Sequence, residues 1–221
     1  MDWDWKKKES AERYNELYDL PAEDAERYLR LLGLREGDVF VDFGCGRGDM
    51  LALAAAKVRT AVGVDVSPQQ IALARERLRG IGNVEFVEAS FEGFDAAGRR
   101  FTKGFARKAL HHLDDEGKAA FFRRLGSVFE AGGLFLLEDA VYSFDRKELD
   151  ARMPELLKEL EAYFGERWAA KKDDVLHMLR HEFPTGHNAW AAALEAGGFQ
   201  VVERWQTTGF LGGFLARRGD G

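Results

Sequence analysis

The stretch VDFGCGRGD, residues 41–49, carries three glycines at every second position directly behind a run of residues typical of a buried β-strand. Acidic residues lie before and after the glycines, at Asp42 and Asp49. Glycines in this place indicate a backbone that either turns tightly with positive φ or lies against a ligand without intervening side chains. The surrounding sequence decides between the two.

Strand and helix periods alternate along the chain. Apolar runs predict strands at 38–44, 60–67, 83–90, 100–110 and 134–141, and then a closing pair, FQVVERWQTT and FLGGFLARR. Helical spacing predicts two helices within 10–34 and further helices at 49–58, 68–80, 115–129, 146–182 and 188–198. This alternation predicts an α/β fold, a parallel sheet with helices on both faces, and the short last connection predicts an antiparallel final pair.

Two local signals predict helix ends. Ser67 and Pro68 are suited to cap and begin the helix at 68–80. Ala-Gly-Gly, residues 131–133, is expected to end the helix at 115–129.

Composition restricts the class of protein. The 221 residues fit one domain, and 46% hydrophobic with 32% charged residues is the balance of a folded, water-soluble chain. The net charge of −6 disfavours nucleic acid as a partner. One cysteine, Cys45, allows neither an intrachain disulfide nor a multi-cysteine zinc site. No apolar segment has the length of a signal peptide core or a membrane span, so we expect a cytoplasmic protein with no membrane contact.

The acids around the glycines indicate the kind of ligand. The third glycine, Gly48, follows the second by two residues, whereas the dinucleotide fingerprint requires three. Asp49 would repel a pyrophosphate, and Asp42 suits a cationic ammonium or sulfonium group. Asp65 ends the second predicted strand, where a carboxylate can accept hydrogen bonds from ribose hydroxyls. An adenosine-type ligand with a positive charge is therefore expected.

Four stretches then follow in an order that resembles a known family. VDFGCGRGD, VGVDVS, NVEFVEASFEGF and KALHHLDDEGKAAFFRRLGSVFEAGGLFLLEDAV, within residues 37–141, resemble the motifs of class I S-adenosylmethionine-dependent methyltransferases, and EAGGFQVVERWQTTGFLGGFLARR resembles their closing helix and hairpin. The resemblance implies a Rossmann-like, doubly wound, seven-stranded, mostly parallel sheet with an antiparallel last strand. It also implies S-adenosylmethionine as cofactor and S-adenosylhomocysteine as product.

Matching motif positions implies the cofactor contacts. Asp42 would fix the amino acid end, Asp65 the ribose, and Val66 would pack on adenine. The complete expected set is Asp42, Gly44, Cys45, Gly46, Gly48, Asp65, Val66, Ser90, Phe91 and Arg107. Ser90 occupies a position at which the family often has an acid that binds the adenine amino group, so the adenine contact there departs from the family pattern.

Candidate catalytic and acceptor-binding residues come from the histidines and from the first helix. His111, after the fourth strand, and His181 are the candidate catalytic residues. The candidate acceptor-binding residues are Tyr14, Tyr18, His112, His177 and Arg180. His177, His181 and His187 are alternatively a metal set or solvated histidines, and no metal is predicted because solvated or hydrogen-bonded histidines are commoner.

Three cations follow or interrupt the fourth strand. Arg107 is placed to hold a carboxylate or phosphate of the acceptor, or else to be a solvated charge at the strand end. For Lys103 and Lys108 the solvated alternative is favoured.

The sequence as a whole predicts one methyltransferase domain over 1–221, with a helical cap at 1–34 and a substrate-covering helical insertion at 146–190. The predicted activity is methyl transfer from S-adenosylmethionine to a small-molecule acceptor that carries an anionic group. Two alternatives remain at this point, a non-catalytic S-adenosylmethionine-binding module and a nicotinamide-dependent oxidoreductase.

Overall fold

The computed structural model describes residues 7–220. The eight helices in that range are α1 (Lys8–Leu17), α2 (Ala22–Leu32), α3 (Asp49–Ala55), α4 (Pro68–Arg77), α5 (Asp115–Val128), α6 (Leu149–Phe164), α7 (Trp168–His181) and α8 (His187–Ala196). The strands are β1 (Val39–Phe43), β2 (Thr60–Asp65), β3 (Val84–Glu88), β4 (Phe101–Arg107), β5 (Phe129–Tyr142), β6 (Thr185–Gly186), β7 (Phe199–Thr208) and β8 (Leu211–Arg218). Residues 1–6 of the expected N-terminal cap lie outside the described range.

The main sheet has the order β3-β2-β1-β4-β5-β8-β7. Its first five strands pair in parallel, and β8 runs antiparallel to both β5 and β7. The short β6 pairs with the end of β5, off this path. The predicted α/β fold, with a mostly parallel sheet and an antiparallel last strand, is therefore confirmed.

The strand order reverses between β1 and β4, because the chain first builds outward through β2 and β3 and then returns to the other side of β1. Ligands of open α/β sheets bind beyond the carboxyl ends of the strands at such a switch point. Asp42, the glycine loop and the residues after β4 are located there, so the topology brings the sequence-predicted site together.

Alternate strand residues form separate cores on the two faces of the sheet. Val41 and Phe43 belong to one buried cluster with α5 and α8, whereas Phe40 belongs to another with α2 and α3. A third cluster packs α6 and α7 against Tyr142 and the start of β8. The region from α6 to α7 therefore has its own apolar packing against the end of β5.

Several predicted boundaries are confirmed and two are wrong. Ser67 accepts a hydrogen bond from the backbone N–H of Gln70, with Pro68 at the first helical position, as predicted. Ala-Gly-Gly does not end α5: the helix stops at Val128, and residues 131–133 lie inside β5, where Gly132 has φ +76° next to a shift of register. The region 146–182 is two helices rather than one, separated at Gly165. In residues 7–220, no helix combines the length and hydrophobicity needed to cross a bilayer.

Candidate active site

The glycine loop joins β1 to α3, and its three glycines face different surroundings. A side chain at Gly44 would collide with Ala109, 2.6 Å from the position of its Cβ. A side chain at Gly46 would meet nothing within 4 Å and would project into open space. Gly48 lies against α4 and lines neither of the cavities described below. The loop therefore leaves its backbone accessible to a ligand at Gly46, while Gly48 serves helix packing.

Asp65 fixes the shape of the loop from β2. Its Oδ2 accepts a hydrogen bond from the backbone N–H of Gly46 at 2.9 Å, and its Oδ1 accepts one from the N–H of Ser67 at 2.9 Å. Burial raises the pKa of this carboxyl, although the two backbone donors oppose the shift. Each carboxylate oxygen has a further lone pair, so Asp65 can still accept hydrogen bonds from a ligand in the cleft.

Asp42 is a buried acid that no cation neutralises within residues 7–220. It is 3% exposed, and the structure records no hydrogen bond or ion pair for its carboxyl. Burial, together with Asp65 and Asp49, raises the pKa of Asp42 well above its usual value. Asp49, in contrast, is paired with Arg47 at 2.9 Å and with Arg77. Asp42 is therefore the acid that a cationic ligand would satisfy.

A cleft of about 840 Å³ lies over the carboxyl ends of β1, β2 and β4. It is lined by Tyr14, Gly44, Gly46, Asp65, Val66, Gln70, Ala89, Ser90, Phe91, Glu92, Arg107, Lys108, Ala109, His112 and Leu113. We call it the cofactor cleft. Asp42 and Cys45 line a smaller adjoining cavity under α1. Cys45 packs against the backbone of β2 at Gly63, which makes it a filler of space.

The end of the cofactor cleft that follows β3 contains an acid that the sequence did not suggest. Ser90 is exposed, and its hydroxyl accepts a hydrogen bond from the backbone N–H of Gly93. Glu92, two residues on, lines the same cleft. Phe91 packs edge-on to Phe121 of α5, which fixes the segment against the sheet.

A second cavity, of about 700 Å³, lies beside the cofactor cleft. Its lining comes from α1, the ends of β4 and β5, the region from α6 to α7, and the turn before β8: Tyr14, Tyr18, Lys108, His111, His112, Asp139, Ala140, Tyr163, Phe164, Asp174, Val175, Met178, Glu182, Phe210 and Leu211. We call it the acceptor cavity. Aromatic and aliphatic side chains dominate it, as in small-molecule sites.

Three residues line both spaces: Tyr14, Lys108 and His112. Tyr14 comes from α1 and stacks on Tyr18, with ring centroids 4.9 Å apart. The other two come from the segment after β4. The two cavities therefore meet at these side chains, which we call the junction.

Helix α1 is attached on both sides of the junction. Asn15 and Gln70 exchange side-chain hydrogen bonds of 3.1 and 3.2 Å, which hold α1 to α4. Arg13 makes hydrogen bonds of 3.1–3.3 Å to both carboxylate oxygens of Asp174, which hold α1 to α7. These contacts close the cofactor cleft and the acceptor cavity with the same helix.

His111 lies between two acids. Its Nδ1 is 2.5 Å from Oδ1 of the fully buried Asp139, and its Nε2 is 3.1 Å from Oε2 of Glu182. The Glu182 contact is an ion pair rather than an aligned hydrogen bond. Burial alone would lower the pKa of His111, but Asp139 and Glu182 raise it to about 10. His111 is thus an imidazolium at neutral pH, which makes it unsuited to the role of free catalytic base.

The pKa of His112 is shifted in the opposite direction to that of His111. Burial and the neighbouring charge of His111 lower the pKa of His112 to about 4, so its ring is neutral at pH 7. Within residues 7–220, His111, His112 and Glu182 bring three potential metal-ligand atoms within 4.8 Å of one another. A metal ion there would have to displace the proton that binds His111 to its two acids.

Arg107 is already engaged. Its Nε lies 3.3 Å from Oε1 of Glu138, its Nη1 donates to the carbonyl of Asp19 at 3.0 Å, and its Nη2 is 3.9 Å from Asp24. Its side chain is 12% exposed, so of the two alternatives for Arg107 the solvated charge does not hold. Although Arg107 borders the cofactor cleft, its guanidinium connects β4 to β5 and to the segment between α1 and α2.

The two lysines expected to be solvated also have defined positions. Lys103 donates to the carbonyl of Leu32 at the end of α2, at 2.6 Å. Lys108 is half-buried at the junction, 5.3 Å from the centroid of the Tyr18 ring. The prediction of a solvated Lys108 is wrong.

The histidines of the region after β5 do not come together with the junction. The rings of His177 and His181 contact each other on α7 with their centroids 4.8 Å apart, and His181 and Arg180 are exposed. None of the three lines the cofactor cleft or the acceptor cavity. His187 lies elsewhere, at the start of α8, with its Nε2 2.5 Å from Oε1 of Gln206. His177, His181 and His187 therefore do not form one cluster.

The acidic residues that sequence reasoning missed in the acceptor cavity and the cofactor cleft include Asp139, Glu182 and Glu92. Asp139 had a usable signal, because it follows an apolar run at the same edge of the sheet as Asp42 and Asp65. Glu182, after α7, had none, since its proximity to His111 depends on how the helices fold back.

Comparisons with known proteins agree with this architecture. A family model described as a methyltransferase domain matches residues 40–133, from β1 into β5. An uncharacterised methyltransferase of Anoxybacillus flavithermus is 23% identical over 174 residues, which is 79% of this chain and 78% of that protein.

Solved structures share the fold. Geranyl diphosphate C-methyltransferase from Streptomyces coelicolor, solved with Mg²⁺, geranyl diphosphate and S-adenosylhomocysteine, superposes with a TM-score of 0.67 at 16% identity, over 97% of this chain and 87% of that one. The YcgJ protein of Bacillus subtilis gives 0.67 at 16% identity, over 91% and 100%. With the glycine loop and the sheet order, the match over residues 40–133 indicates an S-adenosylmethionine-dependent methyltransferase with the class I Rossmann-like fold.

Proposed function

We propose that this methyltransferase acts on a small-molecule acceptor that carries an anionic group and binds in the acceptor cavity. The observation that carries the proposal is the junction, where Tyr14, Lys108 and His112 line both the cofactor cleft and the acceptor cavity. A methyl group at that boundary would face an acceptor held on the other side, and such alignment provides much of the rate of a displacement reaction.

The residues of the cofactor cleft and of the adjoining cavity under α1 fit S-adenosylmethionine. The unpaired acid Asp42 suits the ammonium group, and Asp65 has lone pairs for the ribose hydroxyls. Gly46 leaves room for close approach to the backbone, Val66 would pack on adenine, and Glu92 can accept from the adenine amino group. When bound, S-adenosylmethionine supplies an electrophilic methyl group on a sulfonium.

The walls of the acceptor cavity favour a small molecule. Helices α1, α6 and α7 cover it, and aromatic and aliphatic side chains dominate its lining. We propose that the cap and the region 146–190 act as these covers within a single methyltransferase domain. A nucleic acid would need a continuous basic surface, and the net charge of −6 argues against one.

The anionic group is assigned to the side of the cavity next to α7. The ammonium of Lys171 lies 3.9 Å from the Tyr18 ring centroid and 5.2 Å from that of Phe164, both of which line the cavity. Lys171 is 3% exposed, donates to the carbonyl of Leu17, and has no carboxylate partner in residues 7–220. Burial lowers its pKa to about 8. A buried cation without a carboxylate partner favours an anion beside it. Arg107, which is paired with Glu138, and Arg180, which is exposed, are not cations of this kind.

The experiment is methyl transfer from radiolabelled S-adenosylmethionine into a metabolite extract, bulk RNA, DNA and protein, each at physiological salt. We expect label in the small-molecule fraction, in products that an anion exchanger retains. Lys171→Met should reduce this labelling, and Lys172→Met, which removes a neighbouring exposed lysine, should not. Label in nucleic acid or protein with a blank small-molecule fraction would contradict the proposal, and labelled products without negative charge would contradict the anionic group.

A further inference from the structure

We infer that Lys108 is the general base that removes the proton from the acceptor atom during methyl transfer. This inference rests on the proposed small-molecule activity and assigns the proton acceptor at its site. It applies to acceptors that lose a proton on methylation, such as hydroxyl, ammonium or thiol groups.

The backbone holds Lys108 at the junction in a conformation that side chains rarely adopt. Its φ is +52°, and the only other non-glycine residue in 7–220 with positive φ is Ala97 in an exposed turn. The N–H of Lys108 donates to the carbonyl of Glu138 at 2.8 Å, which fixes the residue at the carboxyl end of β4. Backbone strain of this kind concentrates at functional sites. Here it directs a lysine to the boundary between the cofactor cleft and the acceptor cavity.

The amine of Lys108 has no hydrogen-bond acceptor within the described part of the chain. Its one recorded side-chain neighbour is the Tyr18 ring, 5.3 Å away. The other inward-facing lysines each donate to a main-chain carbonyl: Lys103 to Leu32, Lys118 to Leu113 and Phe183, and Lys171 to Leu17. Each of those three amines is held by a carbonyl oxygen, whereas the amine of Lys108 has no such acceptor in residues 7–220 and borders both cavities.

The surroundings of Lys108 favour its neutral, basic form. Burial, followed by the positive charge of Arg107, lowers its pKa to about 7. The charged and titratable groups that face it from the packed elements are Arg107 on β4, Glu138 on β5, Asp24 on α2, Lys171 on α7, Tyr14 and Tyr18 on α1, and His112. A base with a pKa near the working pH transfers protons most efficiently.

The other titratable groups near the junction are less suited. His111 holds its proton between Asp139 and Glu182, with a pKa of about 10. His112, with a pKa of about 4, is a weak base. Burial raises the pKa of Tyr14, so the phenol keeps its proton at neutral pH.

Methyl transfer and proton transfer to Lys108 together conserve atoms and charge. The acceptor atom forms a bond to the methyl carbon and gives its proton to Nζ of Lys108, which becomes an ammonium. The electron pair of the broken sulfur–carbon bond stays on sulfur, so the sulfonium charge disappears as the ammonium charge forms. Lys108 then releases the proton to solvent.

The first test measures the titration midpoint of the Lys108 amine in the absence of cofactor and acceptor. Competitive acetylation of the whole protein with acetic anhydride across pH, followed by mass spectrometry, gives the titration midpoint of each lysine. We expect a midpoint of about 7 for Lys108, well below the value of about 10.4 that is usual for a lysine side chain. A Lys108 midpoint of about 10.4, the usual value for a lysine side chain, would overturn the inference, whether or not an acceptor has been found.

The second test uses labelled S-adenosylmethionine with the small-molecule fraction of the metabolite extract. Lys108→Met should slow label transfer at saturating S-adenosylmethionine about 100- to 10,000-fold and remove its rise with pH near 7. Lys108→Arg should be as slow as Lys108→Met, because a guanidinium keeps its proton. Transfer by Lys108→Arg at the wild-type rate would show that the residue only binds an anion, and would overturn the inference that Lys108 is the general base. If the wild type transfers no label, the proposed function is rejected. The acetylation midpoint would then still test whether the Lys108 amine is basic near neutral pH.

Discussion

Asp65→Asn offers a direct test of the cofactor cleft, because both oxygens of this carboxylate already accept backbone hydrogen bonds. In the variant one oxygen becomes an NH₂ group, which would face the N–H of Gly46 or of Ser67 at 2.9 Å, donor against donor. The loop must then shift, and the remaining side chain has lost the charge that would bind the ribose hydroxyls. A hydrogen bond to a charged group contributes about 1.5–3 kcal/mol, so S-adenosylhomocysteine should bind about 10- to 150-fold more weakly.

Isothermal calorimetry with S-adenosylhomocysteine measures this loss, and circular dichroism checks that the variant is folded. Glu88→Gln is the matched control, since Glu88 pairs with Asp65 in the neighbouring strand, is exposed, and lines no part of the cleft. The control should bind like the wild type. Affinity of Asp65→Asn within twofold of wild type would refute the ribose assignment.

Three further outcomes are expected. Arg107→Ala should lower the free energy of unfolding in urea by about 3–5 kcal/mol, because it leaves Glu138 buried and unpaired. Arg79→Ala, which removes an exposed ion pair, should lower it by less than about 1 kcal/mol. Equal effects of the two substitutions would contradict a stabilising buried pair between Arg107 and Glu138. His111, with a pKa raised to about 10, stabilises the fold fully below the pKa of about 6.5 of an unfolded histidine and loses this contribution as the pH rises through about 10. The difference in unfolding free energy between wild type and His111→Gln should therefore shrink across that window, and a constant difference would argue against the assignment. Gly46→Ala places a side chain at φ +52° in the open cleft, so S-adenosylhomocysteine affinity should fall at least about tenfold; unchanged calorimetry would show that no ligand approaches this backbone.

Most of the sheet could be predicted from local signals. The buried run of β1, the cap at Ser67 with Pro68, and the alternation of strands with helices each depend on neighbouring residues, and each is confirmed. The segment 129–133 was mispredicted for a non-local reason. It joins β5 because the backbone bulges against β4, a feature of the pairing that the Ala-Gly-Gly sequence does not reveal.

Within the candidate site, the strand-end acids were predictable and the charge partners were not. Asp42 and Asp65 follow from their position after apolar runs. The pairing of Arg107 with Glu138 depends on the register of β4 against β5, so the same arginine seemed free in the sequence. Glu182 reaches His111 only because α7 folds back over the end of β5, across 71 residues of chain. Partners brought together by tertiary folding have no signature in local sequence.

A single substitution in the acceptor cavity can separate cofactor binding from methyl transfer. Met178 lines the acceptor cavity from α7 but not the cofactor cleft, so Met178→Trp should fill the first and spare the second. We predict S-adenosylhomocysteine affinity within twofold of wild type, together with loss of label transfer to the small-molecule fraction. Lys172→Trp, on the exposed side of the same helix, should retain both. Undiminished transfer by Met178→Trp would contradict the claim that the acceptor binds in this cavity.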